Sequence, residues 1–69
     1  MKVTVEDIKS IPANGVFRVK LDSYAACLSA KNIVQYVKNM YKREDGMTYR
    51  TSIDKNSFTF TAIVKPIAD

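Results

Sequence analysis

Two runs rich in aromatic, β-branched and threonine residues dominate this chain: Met47-Thr48-Tyr49-Arg50-Thr51-Ser52-Ile53 and Phe58-Thr59-Phe60-Thr61-Ala62-Ile63-Val64-Lys65. Between them stands the polar link Asp54-Lys55-Asn56-Ser57. Such runs joined by a short turn-forming segment read as a β-hairpin. Successive strand side chains point to opposite faces, so alternation sorts them into two sets. Met47, Tyr49, Thr51 and Ile53, with Phe58, Phe60, Ala62 and Val64, make an apolar face that requires cover. Thr48, Arg50 and Ser52, with Thr59, Thr61, Ile63 and Lys65, make a face of hydroxyls, cations and one isoleucine that meets solvent or a partner.

The cover comes from upstream. Val16-Phe17-Arg18-Val19-Lys20-Leu21 alternates as a strand with Phe17, Val19 and Leu21 inward and Val16, Arg18 and Lys20 outward. Asp22 or Ser23 then caps a helix from about Tyr24 to Lys42. Ala26, Ala30, Ile33, Val37 and Met40, widened by Val34 and Tyr41, form its apolar stripe, and Lys31, Gln35, Lys38 and Lys42 form its polar one. Ser29 offers a possible break, but one helix is the reading kept. Arg43-Glu44-Asp45-Gly46 ends it, with cations near the negative end of the dipole and a glycine free to turn left-handed.

Before the strand, residues 1–15 read as a turn or short helix over Val5 to Ser10, with Thr4 as N-cap and Glu6 and Asp7 in the first turn. A short edge strand through Val3 and Val5 competes with that reading. Pro12, Asn14 and Gly15 stop the segment and turn the chain. Residues 66–69 read as a tail.

The order strand, helix, strand, strand defines a small α+β domain spanning residues 1–69, a β-α-β-β chain with a mainly antiparallel three-stranded sheet and one helix packed on one face. A right-handed crossover places the last strand between the other two. At 69 residues the chain buries only about 60% of its unfolded surface, so its stability is modest and a homodimer would help it.

One cysteine and no histidine exclude an intramolecular disulfide, the usual zinc frameworks and histidine-dependent catalysis. Cys27 reads as a small buried apolar residue in a reducing setting. Gly15 and Gly46 each serve a turn, which leaves no phosphate loop. The carboxylate pairs Glu6-Asp7 and Glu44-Asp45 sit at expected helix ends. The sequence therefore points away from an enzyme, a cofactor or a metal. No signal peptide and no stretch long enough to span a membrane is evident, which implies a cytoplasmic protein with no membrane partner.

Net charge is +4, from 11 Lys and Arg against 7 Asp and Glu. The surplus lies in residues 16–43, with six cations and one anion. If the three strands align, Arg18, Lys20, Arg50 and Lys65 share the outer sheet face with Thr48, Ser52, Thr59 and Thr61. Guanidinium groups fork onto phosphates or guanine edges, hydroxyls donate to phosphate oxygens, and a strand surface can enter a major groove. The aromatics fall on the inner parity, so no stacking platform for single strands is expected. Lys31, Lys38, Lys42 and Arg43 form a second basic surface, expected on the opposite side of the layer. Val16 and Ile63 leave an apolar pair on the sheet face, a possible protein interface.

The Ile11-Pro12-Ala13-Asn14-Gly15-Val16-Phe17 lead-in, the Ser29-Ala30-Lys31 helix, the Tyr49-Arg50-Thr51 strand and the Phe58 to Val64 strand together resemble small bacteriophage accessory proteins of unassigned function. Thr61 stands where a basic residue is often found in that pattern. The resemblance implies an accessory role in the cytoplasm of a host cell and supplies no active site. The reading is thus a non-enzymatic, phage-like protein that binds nucleic acid, DNA rather than RNA, through the sheet face. The alternative is a protein-binding module that inhibits or modulates a host enzyme or defence factor, as a homodimer or otherwise.

Overall fold

A computed structural model describes residues 2–41 and 43–67. The elements run α1 (Val5–Lys9), β1 (Val16–Lys20), α2 (Tyr24–Met40), β2 (Met47–Asp54) and β3 (Thr59–Pro66). Both β1 and β2 pair antiparallel with β3, giving the strand order β1-β3-β2. The most apolar strand is therefore central, as its composition requires, since a middle strand exposes neither edge. Helix α2 packs over β2 and β3, and α1 packs against α2.

Alternation holds along the sheet. Val19, Tyr49, Phe60, Ala62 and Val64 are buried on the helix side, and Phe17, Met47 and Ile53 pack against them partly covered. Phe58 departs from the expected strand. It lies in the turn between β2 and β3 at φ 54, a left-handed conformation that costs a side-chain-bearing residue roughly 1–2 kcal/mol. Its carbonyl accepts the Leu21 N–H at 2.8 Å, and its ring packs on the core. Asp54 helps to close the same turn by accepting the Asn56 N–H at 2.9 Å.

Ser23 caps α2 by accepting the Ala26 N–H at 3.2 Å, and the helix runs unbroken through Ser29. It ends at Met40, short of the expected Lys42, which lies outside the described residues. Its buried line is Cys27, Ala30, Val34 and Val37, while Ala26 and Ile33 sit on the flank toward α1. Met40 and Tyr41, expected in the stripe, are exposed, at 63% and 44%. The stripe is rotated because the helix serves two neighbours: the sheet takes one line of side chains and the N-terminal segment takes another.

That segment is a helix rather than an edge strand. Thr4 Oγ1 accepts the Asp7 N–H and the Asp7 carboxylate accepts the Thr4 N–H, a reciprocal cap that fixes the first turn. Val3, Ile8 and Ile11 are buried, so residues before the first strand close one side of the core. A β-carbon on Gly15 would sit 2.8 Å from the Pro12 carbonyl, so the turn into β1 accepts only glycine without shifting. Gly46, at φ 73, supplies the left-handed residue ahead of β2.

Candidate nucleic-acid interface

The register sets the outer face of the sheet row by row. Lys20, Thr59 and Asp54 form one row, Arg18, Thr61 and Ser52 the next, and Val16, Ile63 and Arg50 the third. Lys65 and Thr48 complete the far end. All seven residues expected at a nucleic-acid surface, Arg18, Lys20, Arg50, Lys65, Thr48, Thr59 and Thr61, thus lie on one face, together with Val16 and Ile63. Cations stand on both edge strands, Arg18 and Lys20 on β1 and Arg50 on β2, while the central strand contributes Thr59, Thr61, Ile63 and Lys65.

Arg18, Lys20 and Arg50 are exposed and Lys65 is half-buried. Among the described residues none of the four is held in an ion pair, because the two salt bridges present are Lys9 with Glu6 and Arg43 with Asp45. Thr61 is buried at 8% exposure, walled by its neighbours on the edge strands. It forms the floor of a shallow depression of about 480 Å³ lined by Arg18, Ser52, Ile53, Asp54 and Thr59. The Thr59 hydroxyl is 2.8 Å from that of Ser57, so it is oriented by the turn.

Asp54 belongs to this face as well, although the sequence reads it as part of the turn. The alternation through Thr48, Arg50 and Ser52 reaches it directly, but its turn-forming character masked its place in the strand. Its carboxyl is held below the usual carboxylate range by the Asn56 N–H and by Ser57, so it is an anion at neutral pH. It gives the face one negative corner, across Thr59 from Lys20.

The second basic surface divides in two. Arg43 is not solvated with the helix lysines; its side chain is only 15% exposed. Its Nη2 donates to Asp45 Oδ2 at 2.8 Å and its Nε to both Asp45 oxygens, while Nη1 donates to the Ile11 carbonyl at 2.8 Å and to Tyr49 Oη at 3.3 Å. Asp45 in turn accepts the Met47 N–H at 3.1 Å. The bonds to Asp45 and Tyr49 raise the Arg43 pKa further above its ordinary value, and those from Arg43 and the Met47 N–H hold the Asp45 carboxyl below its own. Arg43 is a clasp that fastens the N-terminal segment to the start of β2, and nothing in its sequence neighbourhood names Ile11 as its partner.

Lys31 and Lys38, in contrast, are exposed, and with Gln35, Arg50 and Thr51 they border one hollow of about 250 Å³. They were expected on the far side of the layer from Arg50. Because α1 occupies the other flank of α2, the lysine flank lies at the open edge of β2 instead. Lys31 and Lys38 therefore adjoin Arg50 at the β2 edge, while Thr61 and the Val16–Ile63 pair lie between Arg50 and the cations of β1.

Other chemistry is sparse. Cys27 is a fully buried free thiol. Among the described residues no group of three or more histidine, cysteine or acidic side chains is placed to hold a metal ion, and no helix is long and apolar enough to cross a membrane. Tyr36, Tyr41 and Lys9 make a small exposed cluster near the end of α2, with the two rings edge to face at 6.1 Å and Lys9 Nζ 4.3 Å from the Tyr41 ring. Compared with protein-family models, curated proteins and solved structures, the chain matches none.

Proposed function

We propose that this protein is a non-enzymatic, phage-like accessory factor of the cytoplasm that binds nucleic acid, DNA in preference to RNA, on the outer face of its sheet. The observation that carries the reading is the alignment of the three strands. It gathers Arg18, Lys20, Arg50 and Lys65 on one surface with Thr48, Ser52, Thr59 and Thr61, and leaves those cations without carboxylate partners among the described residues. Cations already paired within a protein gain little from a phosphate; unpaired ones release counterions when they meet one. The exposed Ser52 and half-buried Thr48 hydroxyls between them can donate to phosphate oxygens or to base edges.

A salt titration tests it. Each phosphate neutralised on B-form DNA adds about 0.9 to the slope of log affinity against log salt, so steep linear weakening is expected, and binding indifferent to salt would refute it. One observation favours a protein partner, or a second copy of the chain, on the same face: Val16, 58% exposed, lies across from Ile63 and makes an apolar cross-strand pair. That reading predicts association that is insensitive to salt and survives nuclease, and that Val16→Ser disrupts.

A further inference from the structure

Resting on the nucleic-acid reading, we infer that the ligand is a B-form DNA duplex entered through its major groove, and that the phosphate backbone along the β2 edge is gripped jointly by Arg50 of the sheet and Lys31 and Lys38 of α2. The width of the sheet points to the groove. Neighbouring strands lie about 4.8 Å apart, so β1 and β2 stand roughly 10 Å apart across β3. With side chains the face is wider still, so the ~12 Å major groove of B-DNA, which admits a two-stranded ribbon, can receive part of it and the ~6 Å minor groove cannot. A-form RNA presents a deep, narrow major groove that a sheet of this width does not enter.

The distribution of chemistry agrees with such a seat. The central strand presents the half-buried Thr59 and Ile63 where base edges would lie, with Thr61 buried between them. Arg18 and Lys20 stand on one border and Arg50 on the other, where the two phosphate backbones would run, with the Asp54 anion at the far end of the second border. Among the described residues no aromatic side chain occupies this face to stack an unpaired base. A sheet seated in a groove has backbone phosphates rising beside its edges. At the β2 edge those phosphates would meet the hollow shared by Arg50, Thr51, Lys31, Gln35 and Lys38. The helix lysines thus extend the footprint of the sheet beyond its edge.

The test compares one sequence as duplex DNA, single-stranded DNA and duplex RNA, with the full chain and a Lys31→Ala/Lys38→Ala double variant, over a range of salt. The expected result is at least tenfold preference for duplex DNA and a salt slope shallower by roughly 2 in the double variant, one increment of about 0.9 for each lost phosphate contact. Lys2→Ala, exposed on the α1 side, is expected to leave the slope unchanged, and the denaturation midpoint of each variant checks that it is folded. Equal or better binding of single-stranded DNA overturns the inference while leaving the nucleic-acid reading standing, and equal or better binding of duplex RNA overturns it together with the preference for DNA. An unchanged slope in the folded double variant overturns the grip by α2. Absence of binding to all three nucleic acids overturns both.

Discussion

Arg43 and Arg50 stand seven positions apart, one on each side of the turn into β2, and carry the same guanidinium to opposite ends. Arg43 spends all three of its nitrogens inside the protein, on Asp45, the Ile11 carbonyl and Tyr49 Oη. Arg50 faces outward from the sheet and has no ion-pair partner among the described residues. The difference lies in what the fold brings within reach. A carboxylate two residues on and a carbonyl left bare at the end of the N-terminal segment convert one arginine into a brace. A position on the outer parity of a strand keeps the other available. Net charge alone counts them equally, yet only the second kind can form an electrostatic footprint.

The comparison breaks most readily at the brace. Arg43→Ala leaves the part-buried Ile11 carbonyl without its donor and breaks the exposed pair with Asp45, and a loss of about 2 kcal/mol, chiefly from the carbonyl, is expected. In a domain of this size that corresponds to a melting temperature lower by roughly 8–16 °C. Calorimetry or a denaturant midpoint would measure it. A shift below about 2 °C would mean that the clasp contributes nothing to stability and that Arg43 belongs with the solvated cations after all.

Acid provides a second, smaller break at the same place. The Asp45 carboxyl is held below its ordinary value chiefly by the bonds from Arg43. The unfolded chain therefore takes up a proton at a higher pH than the folded one, and stability rises with pH through that window. The contribution is fully present above the unfolded carboxylate value of about 4 and fades as pH falls toward the depressed folded value. Asp54 contributes with the same sign through its Asn56 bond. Asp45→Asn should flatten the acid limb of a stability-against-pH curve without abolishing it, and an unaltered limb would remove Asp45 from the account. The effect should be smaller than that of Arg43→Ala, because the Ile11 and Tyr49 bonds remain.

These two arginines also mark what could and could not be read from the sequence. Strand alternation placed Arg50 correctly, along with Arg18, Lys20 and Lys65, because a period of two is a local property and a central apolar strand fixes the order of its neighbours. The role of Arg43 depends on a carbonyl 32 residues away and has no local signature. The same holds for the rotation of the α2 stripe. Helical spacing identified the apolar positions but not that Val3, Ile8 and Ile11 would claim one flank, which exposes Met40 and turns Lys31 and Lys38 toward Arg50. An aromatic beside Thr59 and Phe60 fits the strand pattern, so local sequence assigns Phe58 to the strand. Its positive φ is set instead by the four-residue closure between Asp54 and Thr59 and by the bond from Leu21.

On the other side of the comparison, Arg50→Ala should leave stability within about 0.5 kcal/mol of the parent, as for an exposed residue outside any network. It should cost about 1 kcal/mol in nucleic-acid binding, roughly fivefold, and reduce the salt slope by about 1. Fluorescence anisotropy at several salt concentrations would measure both. A variant that binds as well as the parent would take Arg50 out of the interface. One that unfolds would erase its contrast with Arg43.

The smallest expected effect concerns the anion on the same face. Asp54 repels phosphate from the corner that Lys20 serves, yet it also accepts the Asn56 N–H that closes the turn. Asparagine retains a side-chain oxygen able to accept that bond while losing the charge. Asp54→Asn should therefore keep the melting temperature within a few degrees, and it should tighten nucleic-acid binding about twofold at low salt, with the gain shrinking as salt screens the corner. If the face instead receives a basic protein surface, removing its one carboxylate should weaken association under the same conditions. The sign of this change therefore separates a polyanionic partner from a cationic one, and a midpoint that collapses in the variant would show that the charge, and not only the oxygen, is needed to hold the turn.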